Sequence, residues 1–484
     1  MSLYRNNLTA LPLVCSAAAL IACLGACVVG RESFNGSAIR LSTVATLVAL
    51  AAVCPDALRT ARIGPLVLLA GVLLSFWLGA WRCMSRAYAP ASATLWSEFG
   101  GLWPARTVAR AILYVSLFQF VSLAACFAAP PLRRPAVLLR RLDRPVGPDL
   151  RVPLVFLAIA AMFAVLLIRS GGSPSGLLDI LAGSRTASAS ARRIGPLMHV
   201  VWLGYCGVAI GLSDLLLTRR PLRMRLILAC IVAAGAIVVL ADGTRHRLLY
   251  VFGPACLILL HLSVSRGRRY RWILPAAVLF CIAAYQGQSL CRDTGWRTLA
   301  SHDRRDLLHL SGTDQFQPLL YALELIGARG RHLHTPAWPF FLTHWVPRRL
   351  WPAKPHQPAL ELFSRTRTGA AELAVRNATP SLLGQYHINW GVFGVAWIAL
   401  CMGLAGGLLD RLARDAPLTD APFAWTLLGM LWAFLAASFR ALSPQYLLMP
   451  LLAAGAAEIH HHAATKFAPK NPKKQRTPTG KKIP

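Results

Sequence analysis

The sequence predicts an all-α, polytopic membrane protein with about twelve transmembrane helices and one long, partly helical loop outside the membrane. Of the 484 residues, 56% are hydrophobic and only 14% are charged, whereas roughly 25% of the residues in a soluble domain are charged. The apolar residues fall in repeated runs, and the basic residues collect in the connections between those runs. These observations exclude a soluble domain carried on a single anchor.

The hydrophobic runs are long enough to cross a bilayer, because a hydrocarbon core of about 30 Å needs ~20 mainly apolar residues per helix. The chain divides into residues 1–288 with nine spans, the long loop 289–383, residues 384–460 with three spans, and a basic tail at 461–484. The first run has the length of a secretory signal peptide, but further spans follow it at once, so we interpret it as retained. The predicted spans lie near 11–29, 39–54, 64–81, 109–129, 152–168, 197–217, 224–241, 247–265, 272–288, 384–409, 421–440 and 443–460.

The distribution of basic residues predicts how the chain is oriented. The formal net charge is +32, and these cations lie between hydrophobic helices rather than on a nucleic-acid-binding domain. The N-terminus, the even-numbered connections and the tail together carry 26 Lys and Arg residues, and the odd-numbered short connections carry 13. Because Lys and Arg collect on the cytoplasmic side, we expect both termini in the cytoplasm. The 289–383 loop then faces outward, into the periplasm of a Gram-negative cell, and the Pro- and Lys-rich tail lies near anionic lipid headgroups.

The membrane spans themselves do not indicate a transport pathway. No internal repeat is visible, and the mid-span positions are almost entirely apolar or small. Asp214, Asp242, Arg440 and Glu458 all lie near the ends of spans. Since carriers and pumps place ionisable residues at mid-membrane depth, this pattern disfavours a transporter.

The cysteine and histidine residues do not indicate a metal or redox centre. Most of the twelve Cys residues lie in apolar spans, and there is no CxxC pair. Asp and His residues show no metal-ligand spacing either, so we expect no metal or other cofactor. Cys83 and Cys291 both lie just beyond spans on the outer side. A disulfide can form in such a compartment, although the sequence does not bring these two residues together.

The long loop is predicted to be structured. A helix is expected over 314–328, with Asp314 as its cap and Gly327 and Gly330 at its end. Its apolar residues recur at helical spacing, which predicts an amphipathic helix lying on the membrane surface. A second helix is expected over 359–375, and Thr379 followed by Pro380 predicts the start of the tenth span. The apolar residues of the first loop helix are Phe316, Leu319, Leu320, Leu323 and Ile326.

The same loop has the charge expected of a site for an anionic substrate. Between residues 289 and 387 there are twelve Lys and Arg residues against seven Asp and Glu. Segment 335–355 is rich in Trp, Phe and Pro, and within it Arg348, Arg349 and Lys354 flank Trp351. Guanidinium groups bind phosphate oxygens in bidentate fashion and Lys adds a point charge. The alternative is that these cations only extend to lipid phosphates.

A second basic element lies at the end of the seventh span. Residues 242–247 read DGTRHR and form a very short connection between two spans on the predicted outer side. Arg245 and Arg247 can therefore reach the same space as the long loop. Ordinary helix-end charges explain this pattern too, and Asp242 can pair with Arg245 to close the turn.

Three segments resemble the Wzy-type polymerases of O-antigen and exopolysaccharide repeat units. They are VPRRLWPAKP at 346–355, TPSLLGQYHINWGVFGV at 379–395 and GTRHRLL at 243–249. The resemblance also covers the arrangement of many spans with one large outer loop. At the position after Leu-Gly where this family is expected to carry an acidic residue, the chain has Gln385, so no catalytic carboxylate is assigned there.

The resemblance implies an enzyme of the bacterial inner membrane. Such a polymerase transfers a growing glycan from undecaprenyl pyrophosphate to the terminal sugar of the next lipid-linked repeat unit, and a chain-length regulator protein is a further implied partner. The leaving pyrophosphate needs cations, and the acceptor hydroxyl needs a general base. The cationic site would use Arg245, Arg247, Arg348, Arg349 and Lys354 together with Trp351, and the candidates for the base are Glu324, Glu361, His344 and His387.

Two other functions remain open from the sequence. An O-antigen ligase-like glycosyltransferase has the same architecture but transfers the glycan to lipid A. A flippase for polysaccharides or lipid-linked oligosaccharides is not an enzyme, and it should line its spans with polar or cationic residues. The chain instead keeps such residues at the outer rim, which favours a transferase.

The charge distribution makes a testable prediction about topology. A cysteine introduced at Ser311 should react with a membrane-impermeant maleimide in intact cells whose periplasm is accessible, because the 289–383 loop is expected outside. A cysteine introduced in the 461–484 tail is the control and should react only after lysis. Labelling of the Ser311 position only after lysis would contradict the orientation.

Overall fold

The computed structural model describes residues 2–29, 32–60, 62–81, 103–130, 200–218, 221–240, 248–265, 315–335, 380–415 and 422–440, with single residues and short pieces between 351 and 362 and between 447 and 455. Within these ranges all regular structure is helical, which confirms the all-α prediction. The helices are α1 (Ser2–Val29), α2 (Glu32–Thr60), α3 (Gly64–Val72, continued by a π-helical turn at Leu73–Trp77), α4 (Ala105–Ala128), α5 (Val200–Leu217), α6 (Leu222–Leu240), α7 (Leu248–Ser265), α8 (Phe316–Arg329), α9 (Leu382–Asp415) and α10 (Pro422–Ser438).

Several of these helices have the length and composition of membrane spans. In the described ranges, five apolar segments are long enough to cross a bilayer: Ala10–Val29, Ser33–Pro55, Gly64–Trp81, Ala105–Ala128 and Leu382–Arg414. Three shorter apolar helices are Gly204–Leu217, Leu248–Ser263 and Phe423–Ser438. The prediction of several helices with the length and composition of membrane spans is therefore confirmed.

The full number of spans stays a prediction. The predicted spans at 152–168 and 272–288 lie outside the described residues, and only scattered residues of 443–460 are described. The second span was predicted as the short run 39–54, whereas the apolar segment runs over Ser33–Pro55. No membrane is present, so the orientation of the termini and of the long loop is also untested.

Helices α4 and α9 have the most extensive helix–helix contact in the described structure. Gly403 and Gly407 of α9 lie directly against the backbone carbonyl oxygens of Ser122 and Cys126 of α4, where an added Cβ would collide. Two small residues one turn apart allow this approach, as in other membrane helix pairs. Helices α1, α2 and α3 pack around α4. Helices α5 and α7 pack with α10, which also contacts α9, and α6 packs on α5.

A polar cluster lies inside the bundle, at a depth where the sequence predicted almost only apolar or small residues. The carboxamide oxygen of Gln119 accepts hydrogen bonds from the Thr46 hydroxyl at 2.9 Å and the Trp77 indole N–H at 3.1 Å. Its nitrogen donates to the Ser16 hydroxyl at 3.0 Å. These four residues come from α1, α2, the π-helical turn and α4, so the cluster ties four elements together. Such hydrogen bonds stabilise helix association where water is absent.

Helix α8 confirms the predicted amphipathic helix of the long loop. All five of its predicted apolar residues are buried, and the helix ends at Gly330 with a left-handed φ of 72°. The cap residue is Gln315 rather than Asp314, and its backbone N–H donates to the Ser75 carbonyl at 2.7 Å. The apolar side packs against α4, α9 and the π-helical turn, so it faces protein rather than the surface of the membrane.

The start of α9 differs from the sequence prediction. The helix begins at Leu382 rather than at Pro380, and the Ser381 hydroxyl accepts a hydrogen bond from the Gly384 N–H at 3.1 Å. Ser381 is therefore the N-cap in place of Thr379. Of the helix expected over 359–375, residues 359, 361 and 362 are helical and the rest lies outside the described residues.

The α4–α9 contact predicts a stability effect. Gly407→Ala should lower the melting temperature of the detergent-purified protein, because its Cβ would meet the Cys126 carbonyl oxygen and such overpacking costs about 1–3 kcal/mol. Gly25→Ala is the matched control, since an added Cβ at Gly25 meets nothing within 4 Å. Equal melting temperatures for the two variants would contradict the close contact.

Candidate functional site

The candidate site lies at the end of the bundle where α4 and α9 begin and where α8 packs against both of them. Its fourth component is the short segment that follows α8, residues 330–335, which we call the strap. The strap begins at Gly330 and contains His334, a non-glycine residue with φ of 52°. Left-handed backbone at a residue with a side chain is strained and is concentrated at functional sites. The strap is therefore a fixed part of the site rather than a simple connection.

Helix α9 is broken near its start. Gly391 has φ 62° and ψ −142°, a conformation that is essentially restricted to glycine. The break interrupts the hydrogen-bond ladder of the helix. The carbonyl oxygens of Ile388 and Asn389 accept bonds from the strap instead, at 3.0 Å from the Leu333 N–H and 2.9 Å from the His334 N–H. The strap thus satisfies the two carbonyl groups at the break.

Three rings meet beside this break. The imidazole of His387 lies between the ring of Tyr114 on α4, with centroids 5.3 Å apart, and the ring of His332 in the strap, with centroids 5.2 Å apart. His332 also lies against Gly391, where an added Cβ would be 3.0 Å from its Nε2 atom. His387 itself is buried. The break, the strap and α4 together fix the position of this imidazole.

A second pair of rings stands at the outside of the cluster. The ring of His334 lies 5.4 Å from that of Trp390 and 6.1 Å from that of His332, centroid to centroid. Both His334 and Trp390 are exposed. In the part of the chain that the structure describes, no group of three His, Cys, Asp or Glu side chains could hold a metal ion. The three histidines are connected to one another and to Tyr114 and Trp390 by contacts between rings.

One face of α4 connects His387 with Glu324. The carboxylate of Glu324 on α8 accepts a hydrogen bond from the hydroxyl of Thr107 at the start of α4. Arg110 and Tyr114 follow Thr107 by three and seven residues, a spacing that places all three on one helical face. Arg110 is exposed. Glu324 is half-buried and bonded, and does not simply face solvent.

Several buried polar atoms near the break have no hydrogen-bond partner within the described ranges. They are the Nδ1 atoms of His387 and His332, the side-chain oxygen of Asn389, and both polar atoms of Gln385. A buried polar atom without a partner costs about 1–3 kcal/mol, and such atoms are uncommon. Their concentration in one turn of α9 and the strap marks this place as one that can bind a polar ligand.

The structure brings two of the predicted site residues together and leaves most of the others untested. His387 and Glu324 lie at the same end of the bundle, joined through α4. Glu361 is half-buried, next to residues that pack on α8, and Trp351 is exposed. The remaining predicted residues lie outside the described residues: Arg245, Arg247, His344, Arg348, Arg349 and Lys354.

Sequence reasoning missed His332, Tyr114, Arg110 and the break at Gly391. The pair of histidines in GRHLH, directly after the glycine that ends α8, was an available signal for His332. Tyr114 and Arg110 lie in the predicted span 109–129, and nothing in the sequence near them indicates a site. They become visible only when α4 is placed against α9.

The break predicts a specific effect of substitution. Gly391→Ala should lower the melting temperature, because a non-glycine residue at this φ and ψ costs about 1–3 kcal/mol and the new Cβ would press on His332. The variant should also be cleaved faster by trypsin after Arg331, because the hydrogen bonds between the strap and the carbonyl groups at the break would be weakened. Gly327→Ala in α8 is the control, because an added Cβ there meets nothing within 4 Å. An unchanged cleavage rate in Gly391→Ala would contradict the coupling of break and strap.

Comparisons of the chain with known proteins gave no further guide to this site. No family model, no curated protein and no solved structure matches the chain. The resemblance to repeat-unit polymerases thus rests on the motifs quoted above, and the function is inferred from those motifs together with the geometry around His387.

Proposed function

We propose that the protein is a glycosyltransferase that extends a polysaccharide on a lipid carrier. It would transfer a glycan from undecaprenyl pyrophosphate to a sugar hydroxyl of the next lipid-linked repeat unit at the bacterial inner membrane. The observation that carries the proposal is the imidazole of His387, buried at the broken start of α9 between Tyr114 and His332. It stands at the end of a spanning helix, where the reacting end of a membrane lipid is found.

His387 is proposed as the general base for the acceptor hydroxyl. In the transfer, the acceptor oxygen forms a bond to the anomeric carbon of the donor glycan and gives its proton to the imidazole. The bond from that carbon to the pyrophosphate oxygen breaks, and its electron pair leaves with the pyrophosphate. Histidine is the side chain most often used for such proton transfer. The Nδ1 atom of His387 has no partner in the described structure and is suited to accept this proton.

Glu324 is the second candidate for the base. Its carboxylate is close to the same face of α4, but it already accepts the hydrogen bond of Thr107. We therefore propose a positioning role for Glu324, which holds α8 and the strap against the start of α4. Glu361 and His344 remain candidates from the sequence.

The leaving pyrophosphate is proposed to be bound by the cations of the long loop and of the short connection before α7. Arg348, Arg349 and Lys354, next to Trp351, come shortly before α9 in the chain, and Arg245 and Arg247 come just before α7. Stabilisation of developing charge by fixed cations is commonly the largest contribution to this type of catalysis.

The same geometry suits an O-antigen ligase-like enzyme, in which the acceptor hydroxyl belongs to lipid A. Both reactions need a base for a sugar hydroxyl and cations for a pyrophosphate. The polar cluster around Gln119 does not favour a flippase, because its carboxamide is already hydrogen-bonded to Ser16, Thr46 and Trp77 and offers no polar path.

Complementation of a deletion strain tests the proposed function. His387→Asn should cause single lipid-linked repeat units to accumulate and should reduce chain extension by about a hundredfold or more, as expected for loss of a general base. His261→Asn is the matched control, because His261 lies on α7 against Trp425. Chain length and lipid-linked glycans would be measured by electrophoresis and mass spectrometry at equal protein levels in the membrane.

Other outcomes would redirect or overturn the proposal. Normal long chains in the His387→Asn strain would exclude His387 as the base. Long lipid-linked chains that fail to reach lipid A would identify the ligase reaction. Repeat units trapped on the cytoplasmic face in the deletion strain would indicate a flippase.

A further inference from the structure

We propose that Arg110 binds the diphosphate of the lipid-linked donor beside His387. This inference rests on the proposed function and adds to it a cation on α4, whereas the cations expected from the sequence lie in the long loop and in the connection before α7. The chemical class of the ligand is a prenyl diphosphate, recognised by its phosphate oxygens.

The position of Arg110 on α4 points to this role. Arg110 lies on the helical face that carries Thr107, the hydrogen-bond donor to Glu324, and Tyr114, the ring packed on His387. Its side chain is exposed, and it lies one helical turn before Tyr114, whose ring contacts His387. Among the described residues, no acidic side chain forms an ion pair with it. Among the described residues the guanidinium thus has no carboxylate partner, and it lies on the helical face that contacts the proposed base through Tyr114.

From its position in α4, the Arg110 side chain could reach the headgroup layer in which a lipid diphosphate lies. The spanning segment of α4 begins at Ala105, so Arg110 lies roughly 7 Å along the helix from that end, at about 1.5 Å per residue. The headgroup layer on each side of the hydrocarbon core is about 5–7 Å thick, and Arg side chains extend toward it. The N-terminal end of α4 adds a partial positive charge at the same place. A diphosphate attached to a prenyl chain would lie within reach of the guanidinium.

The charges explain why Arg110 and His387 would share one substrate. A guanidinium next to an imidazole repels the imidazolium that forms when the base takes a proton. A diphosphate bound between them carries negative charge that removes this repulsion, and it gains charge as the glycosyl bond breaks. Arg110 would therefore stabilise the leaving group and the protonated base in the same step.

Binding of farnesyl diphosphate to the full-length protein in phosphatidylcholine nanodiscs tests the proposal. Arg110→Ala should weaken binding at least about tenfold, and Arg110→Lys should weaken it less, because Lys keeps the charge but loses bidentate geometry. Arg106→Ala is the matched control: Arg106 is exposed on the same helix, one turn nearer the end of the span, and its loss should change affinity less than about twofold. Membrane level and elution profile of each variant would verify folding.

The alternative source of the phosphate is an ordinary phospholipid headgroup. It is tested by repeating the titration in nanodiscs that contain phosphatidylglycerol. If the effect of Arg110→Ala disappears there, the residue binds lipid headgroups and the proposal is wrong. It is also wrong if the wild-type protein does not bind farnesyl diphosphate, if Arg110→Ala binds normally, or if Arg106→Ala loses as much affinity.

Failure of this inference can be separated from failure of the proposed function, because binding is measured without turnover. If diphosphate binding depends on Arg110 but the His387→Asn variant still extends chains, the proposed binding site is supported and His387 is excluded as the base. If the His387→Asn variant loses chain extension but diphosphate binding does not depend on Arg110, the role of His387 is supported and the role of Arg110 is excluded.

Discussion

The close approach of α4 and α9 is the constraint on which the site depends. Gly403 and Gly407 let the backbone of α9 lie against the carbonyl oxygens of Ser122 and Cys126. At one end this contact sets Tyr114 against His387. At the other end of α9, the buried carboxylate of Asp410 accepts hydrogen bonds from the Ile63 and Gly64 N–H groups at 2.8 and 2.9 Å, and so caps α3. Helix α9 is held at both ends, and its first turns are the part that departs from helical geometry.

The break in α9 has a physical cost that the surrounding structure offsets. In a membrane, a backbone carbonyl without a partner is expensive, so irregular backbone occurs where protein or a polar cavity covers it. The strap supplies two N–H donors to the freed carbonyl groups of Ile388 and Asn389. The same strap brings His332 to His387. The strap thus has two roles: it donates hydrogen bonds to the carbonyl groups freed at the break, and it forms part of the polar site. Strained residues, polar atoms without partners and histidines therefore occur together at this place.

Prediction from sequence succeeded where apolar residues repeat at helical spacing within a short segment. The apolar residues of α8 repeat at helical spacing, and Phe316, Leu319 and Ile326 are buried as that spacing requires. Prediction from sequence failed at Gly391. The hydrophobic pattern of α9 continues through the break, and hydropathy carries no information about whether φ is positive. Gln119 was missed for a related reason: a single amide in an apolar helix gives no sign that partners from three other elements meet it. His387 was one of four candidate bases on the predicted outer side, whereas the side chains around it depend on helix packing that a single sequence does not specify.

The location of Arg110 on a spanning helix distinguishes it from the cations of the long loop. A residue in the second turn of α4 keeps a fixed relation to Tyr114, and through that ring to His387. Loop cations can supply charge and draw an anionic headgroup toward the site, but they do not by themselves define where the anomeric carbon lies relative to the base. In the proposed site, the guanidinium of Arg110 on a rigid helix would do so, because bidentate contact fixes the orientation of a phosphate as well as its position. The proposed transfer would require alignment of the acceptor oxygen, the anomeric carbon and the departing oxygen. In that proposal α4 and α9 would set the geometry of the reaction, and the loop would contribute mainly charge.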